Sequence, residues 1–138
     1  MEFSPEDDCF AVRQAARYAS QMYDRHLANV GLTIMQFSIM CRLSRGRRLT
    51  MKQLADQMVM ERTSLLRALR PLQRDRLVVS EALTPDHRAL SLGLTATGIE
   101  RLEAARFYWR AAQNEFEQRF GKQRSASLRR ELLDMTGS

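Results

Sequence analysis

The stretch from Glu61 to Asp75, ERTSLLRALRPLQRD, leaves the chain few ways to fold. At about 100° per residue, Leu65, Ala68, Leu69 and Leu72 gather on one side of a helix. Thr63, Arg67, Arg70 and Arg74 fall on the other side, with Ser64 at its margin and Arg62 in the first turn. One side must be sealed against a core, and the other must stay in water or meet an anion. A shorter helix precedes it. Thr50 is a good N-cap, Gln53 three residues later completes a capping box, and Leu54, Ala55 and Met58 give the apolar side. Two short helices in tandem, the second with a row of guanidinium groups, suit a helix-turn-helix. Its second helix would lie in the major groove of DNA, where Arg bonds guanine edges or neutralises phosphates. A merely solvated helix face would carry the same stripe, so the surroundings must decide.

The charge distribution favours the polyanion. The chain of 138 residues holds 22 Lys+Arg, nearly all Arg, against 16 Asp+Glu, for a net +6. Met1–Cys41 sums to −2 and Leu77–Leu94 to −1, whereas Arg42–Arg76 alone carries +7. The excess is therefore concentrated on the tandem helices and their approach, the basic loop Arg45-Gly46-Arg47-Arg48. On this pattern Thr50, Lys52, Gln53, Arg62, Thr63, Ser64, Arg67, Arg70 and Arg74 are the candidate DNA contacts.

The segment after the tandem helices narrows the fold. Leu77-Val78-Val79 is β-branched, Leu90, Leu92 and Leu94 alternate with Ser91 and Gly93, and EALTPDHRA lies between them with Pro85 and Asp86 as turn formers. A β-hairpin with a long tip after a helix-turn-helix is the winged variant, and the tip adds Asp86, His87 and Arg88 to the candidates. The ends are helical. Cys9 to about Val30 recurs at three- and four-residue steps through Phe10, Ala11, Ala15, Tyr18, Ala19, Met22 and Leu27, and Gly31 stops it. Thr33 caps a helix from Ile34 to Leu43, with Phe37, Met40 and Cys41 inward. Thr95 opens a helix reaching about Phe120, and Ser125 to Met135 forms a last one.

The expected fold is thus one domain over 1–138, mainly α with a small β-hairpin. A winged helix-turn-helix at about 33–94 is flanked by helices at about 9–30, 95–120 and 125–135. Those terminal helices exceed what a winged core needs, and a second copy of the chain is the cheapest cover for their apolar faces. A symmetric dimer would also set two recognition helices about one DNA turn apart.

Other classes fit poorly. Cys9 and Cys41 are too few for a disulfide scaffold or a thiolate metal site. His26 and His87 stand far apart, and no HExxH, P-loop or GxSxG pattern occurs. No enzyme, metal or cofactor is therefore expected. MEFSPEDD lacks the apolar run of a secretory signal, and no segment approaches the roughly 18 apolar residues of a membrane span. A soluble cytoplasmic protein is the expectation. A helical protein-interaction module would account for the terminal helices, but not for the local +7 or the hairpin.

Four segments in order, GLTIMQFSIM, LTMKQLADQM, MERTSLLRALRPLQRDRLV and DHRALSLGLTATG, resemble the multiple-antibiotic-resistance regulator (MarR) family of winged-helix transcription factors. The resemblance covers about Cys9 to Phe120, and its most specific piece is Asp86-x-Arg88 followed by Leu94-Thr95-x-x-Gly98. It implies a dimer with intertwined terminal helices that reads an inverted repeat through the helix from Glu61. It implies that Arg88 enters the minor groove, oriented by Asp86. It also implies a repressor released by a small aromatic or phenolic compound, held in a cleft between the dimer helices and the DNA-binding lobe. Tyr18, Met22, Tyr23, His26 and Met40 are the candidate wall of that cleft, though each also reads as ordinary packing. Two features depart from the family pattern: the wing tip carries one Arg and one His where a basic cluster is usual, and Pro71 inside the recognition helix predicts a kink. Cys9-Phe10-Ala11 resembles the start of the dimer helix in the peroxide-sensing branch, and Tyr23 matches a tyrosine that holds the thiolate there, while Ile34 replaces a second one. A lone Cys is also a small hydrophobe, and Cys41 reads as core.

Overall fold

The computed structural model describes residues 3–86 and 89–138. Helix α1 (Asp8–Leu27) starts where the Asp7 carboxylate accepts the Phe10 N–H at 2.8 Å. A single 3-10 turn, Ala28–Val30, leads through Gly31 into α2 (Ile34–Arg42). Thr33 and Gln36 form a reciprocal capping box there. Then come β1 (Leu49–Thr50), α3 (Met51–Met58), α4 (Arg62–Arg74), β2 (Val78–Ala82), β3 (Leu90–Leu94), α5 (Ala96–Phe120) and α6 (Lys122–Met135).

The hairpin expected from sequence is β2–β3, but it is not alone. Strand β1 pairs with β3, giving an antiparallel sheet in the order β1-β3-β2 with Leu49 opposite Leu92. Two residues are too few for alternation to reveal a strand. The helix-turn-helix core is closed: Leu54 of α3 and Leu65, Leu69 and Leu72 of α4 are buried with Ile39, Met40 and Leu43, together with Leu77 and, from the sheet, Val78 and Leu92. Each such side chain contributes on the order of 1.5–3 kcal/mol of burial. Helix α4 continues across Pro71 to Arg74.

The junction between wing and α5 explains the Leu94-Thr95-x-x-Gly98 motif. The Leu77 carbonyl accepts the Thr95 N–H at 3.1 Å, and the Thr95 hydroxyl caps α5 by accepting from Gly98 N at 2.9 Å. A Cβ on Gly98 would sit 2.1 Å from the Leu77 carbonyl oxygen, so only glycine lets the helix approach this closely.

Helix α5 has 25 residues and is about 37 Å long at ~1.5 Å per residue. Helix α1 lies along it. At Gly121, φ 106°, the chain turns directly into α6, which begins at Lys122 and not at Ser125 as expected. The apolar stripe read along α1 is mostly uncovered: Met22 and Leu27 are buried, while Phe10 and Tyr18 are exposed, as are Val12 beside the stripe, Phe107 of α5 and Leu132, Leu133 and Met135 of α6.

Candidate nucleic-acid interface and effector cleft

Helix α4 presents Arg62, Thr63, Ser64, Arg67, Arg70 and Arg74 to solvent while its leucines are sealed beneath. Among the described residues Arg62, Arg67 and Arg70 have no carboxylate within ion-pair distance, and Arg74 has only its neighbour Asp75 at 3.5 Å. A row of guanidinium groups left unneutralised by its own chain is open to an external polyanion. Glu61, the N-cap, makes no side-chain capping bond, so the first N–H groups of α4 keep their donor capacity for an anionic oxygen.

The other candidates divide. Thr50 and Gln53 are engaged with each other: the Thr50 hydroxyl accepts from Gln53 N at 3.1 Å and the Gln53 amide oxygen accepts from Thr50 N at 2.9 Å. What they retain for a phosphate is the Thr50 O–H and the Gln53 amide N–H₂. Lys52 is exposed and pairs with Asp56 at 3.0 Å, a surface pair that yields readily to a stronger anion. In the wing, the Thr84 hydroxyl donates to the Asp86 carboxylate. His87 and Arg88, expected at the tip, lie outside the described residues. Arg48 lies across the sheet against Gly93 and pairs with Glu81 at 3.0 Å.

The residues expected to wall an effector cleft do not gather around one cavity. A cavity of about 360 Å³ opens between α2 and the middle of α5, walled by Phe37, Ser38, Cys41, Leu102 and Trp109, with Arg42, Arg106 and Arg110 at its edge. Phe37 and Trp109 stack at 6.3 Å between ring centroids. None of Tyr18, Met22, Tyr23, His26 and Met40 lines it. Helix α1 packs along α5, and Tyr23 lines a second cavity instead, of about 280 Å³ between α1, α5 and α6. Met22 and Met40 are enclosed in the interior. The Tyr23 hydroxyl donates to Gln113 of α5, and burial pushes the phenol above its ordinary range. His26 meets Glu115 of α5 at 2.8 Å, and Arg119 donates to the Tyr18 hydroxyl. Arg25 and Arg119 also flank Glu115, at 3.6 and 3.0 Å. The His26 hydrogen bond first, then Arg119 and Arg25, hold the Glu115 carboxyl below its usual value.

Cys41 packs against the core, as expected, but is half-buried and also lines the cavity, where burial raises its thiol pKa against the opposing pull of Arg42 and Arg106. Cys9 is exposed in the first turn of α1. Tyr23 stands about 21 Å further along the same helix, so it cannot touch the Cys9 sulfur of its own chain. The sequence did carry one sign of the cleft: Arg106 and Arg110 bracket the single Trp at a four-residue spacing that repels within a helix.

A scan against protein-family models gave no match, and a search of curated proteins gave none at the level required. Solved structures do match. The M. tuberculosis transcriptional regulator MosR, in complex with DNA, is 36% identical over 96% of this chain and 95% of its own, with a TM-score of 0.83. CouR from Rhodococcus jostii RHA1, bound to p-coumaroyl-CoA, is 15% identical over 95% and 92%, TM-score 0.79. Wild-type MarR from E. coli is 18% identical over 97% and 98%, TM-score 0.74. The last two are similar in fold.

Proposed function

Because the chain belongs to the MarR family of winged-helix transcriptional regulators, we propose that it is a dimeric DNA-binding repressor released by a small anionic aromatic ligand. The observation that carries the reading is the exposed row Arg62, Arg67 and Arg70, without carboxylate partners among the described residues, on a helix whose other face is locked into the core. Two such helices, related by the two-fold axis of a dimer, match the two half-sites of an inverted repeat. The uncovered faces of α1, α5 and α6 support the dimer. That similar regulators have been seen on DNA supports the partner.

The ligand is read from the cleft. Phe37 and Trp109, stacked on each other, wall one side of an apolar slot that Arg42, Arg106 and Arg110 also line. Arg106 is paired with Glu103 at 3.2 Å, while Arg42 and Arg110 have no carboxylate partner among the described residues. An aromatic carboxylate fills that combination: ring in the slot, carboxylate on a guanidinium fork. CouR, whose bound p-coumaroyl-CoA is an anionic aromatic thioester, fits the same reading.

Fluorescence anisotropy on DNA from the region flanking the gene tests the main claim. Affinity falls steeply with salt, as expected for several phosphate contacts per site. Arg67→Ala weakens binding by about 1–3 kcal/mol if the residue reads a base. Salt-independent or absent binding defeats the proposal. The exposed position of Cys9 supports a second reading, release by peroxide. Treatment of wild type and Cys9→Ser with an organic hydroperoxide separates the two: only the wild type lets go if Cys9 is the sensor.

A further inference from the structure

Helix α4 carries one leucine that the core does not use. Leu65, Leu69 and Leu72 are at most 1% exposed, whereas Leu66 is 40% exposed. It is not an isolated surface residue. Leu66 forms one wall of an open trench of about 450 Å³ between α4, the start of α3 and the wing, where Met51, Leu90 and Leu92 supply further apolar surface. The rim of that trench is polar and basic, with Thr50, Lys52 and Arg62. Apolar surface set beside two cations and three neutral polar side chains suits an occupant that is apolar locally and anionic around it.

The position of Leu66 on the helix narrows the occupant. Arg62, Leu66 and Arg70 recur at four-residue intervals, so Leu66 lies one turn from a guanidinium on each side. Resting on the DNA reading above, we propose that Leu66 determines sequence specificity by packing against the 5-methyl group of a thymine in the major groove. Thymine is the only base that presents an apolar group there, so a leucine between two arginines discriminates it from cytosine without any hydrogen bond. Arg62 and Arg70 hold the backbone or neighbouring base edges, and the leucine reads the step between them. Lys52 and the cap of α3 keep the duplex seated over the trench.

The test deletes the methyl group from each side of the contact. A duplex is first selected from random-sequence DNA by the wild-type protein, and each thymine in it is then replaced singly by deoxyuridine. At one position per half-site, the replacement weakens wild-type binding about fourfold, the effect of one buried methyl. At that same position Leu66→Ala binds the thymine and deoxyuridine duplexes equally. A mere loss of fold is detected by the melting temperature of Leu66→Ala, which stays within a few degrees because the side chain is half exposed. If no thymine position is sensitive in the wild type, or if Leu66→Ala retains the full fourfold preference, the inference fails while DNA binding stands. If no duplex is selected at low salt, the DNA reading itself falls and this one with it.

Discussion

Helices α4 and α1 are both amphipathic, yet only one of them is satisfied by its own chain. Every large leucine on the inner face of α4 is sealed, whereas Phe10, Val12 and Tyr18 of α1 stand in solvent. The difference separates two ways of using an apolar stripe. The lobe from α2 to β3 closes on itself and holds the arginine row rigid. The arm of α1, α5 and α6 buries Met22, Ala105 and Ala112 and adds polar links, Tyr23 to Gln113 and His26 to Glu115, yet leaves Phe10, Tyr18, Phe107 and Met135 uncovered. On the proposed reading, recognition and assembly fall to different parts of one small chain.

The contrast can be broken or sharpened by substitution. The largest effect is expected at Leu69, fully enclosed in the lobe: Leu69→Ala lowers unfolding free energy by about 3–4 kcal/mol in a denaturant titration. A loss below about 1 kcal/mol would mean that the lobe is loosely packed. Next comes Gly98→Ala, where the new methyl meets a backbone oxygen that cannot swing away. A loss of about 2–3 kcal/mol is expected, with α5 displaced from the wing. Phe10→Ser acts differently because the ring is already exposed in the single chain. Its effect appears in sedimentation, as a dimer dissociation constant raised about tenfold or more, with little change in lobe packing. An unchanged constant would move the interface away from this face of α1. The smallest effect belongs to Glu115. Its carboxyl is held low in the folded arm by His26, Arg119 and Arg25, so the stability it adds is present above the ordinary carboxylate range and is lost as pH falls through its folded value. Glu115→Gln flattens thermal stability against pH on the acid side of about pH 4.3.

Much of the lobe was legible because its signals are local. The capping boxes at Thr33 and Thr50 and the leucine spacing of α4 each act within one or two turns. What escaped the sequence is what depends on distant segments meeting. The cleft needs Phe37 of α2 beside Trp109 of α5, seventy-two positions apart, and periodicity cannot say whether an inward methionine fills a core or borders a cavity. Met22 and Met40 fill the core; Cys41 borders the cavity. Strand β1 was hidden because Thr50 is at once its last residue and the cap of α3, and Leu66 because an exposed leucine looks in sequence like any other.

The close seat of Gly98 on the Leu77 carbonyl has a mechanical corollary. With no side chain between them and Thr95 bonded to the same oxygen, the root of the wing and the root of α5 move as one piece. A helix about 37 Å long pivoted there is a lever: a swing of about 5° at the root carries the far end some 3 Å. On the proposed reading, a ligand wedged beside Trp109, partway along the shaft, would work with leverage on both the grip below and the coupling above.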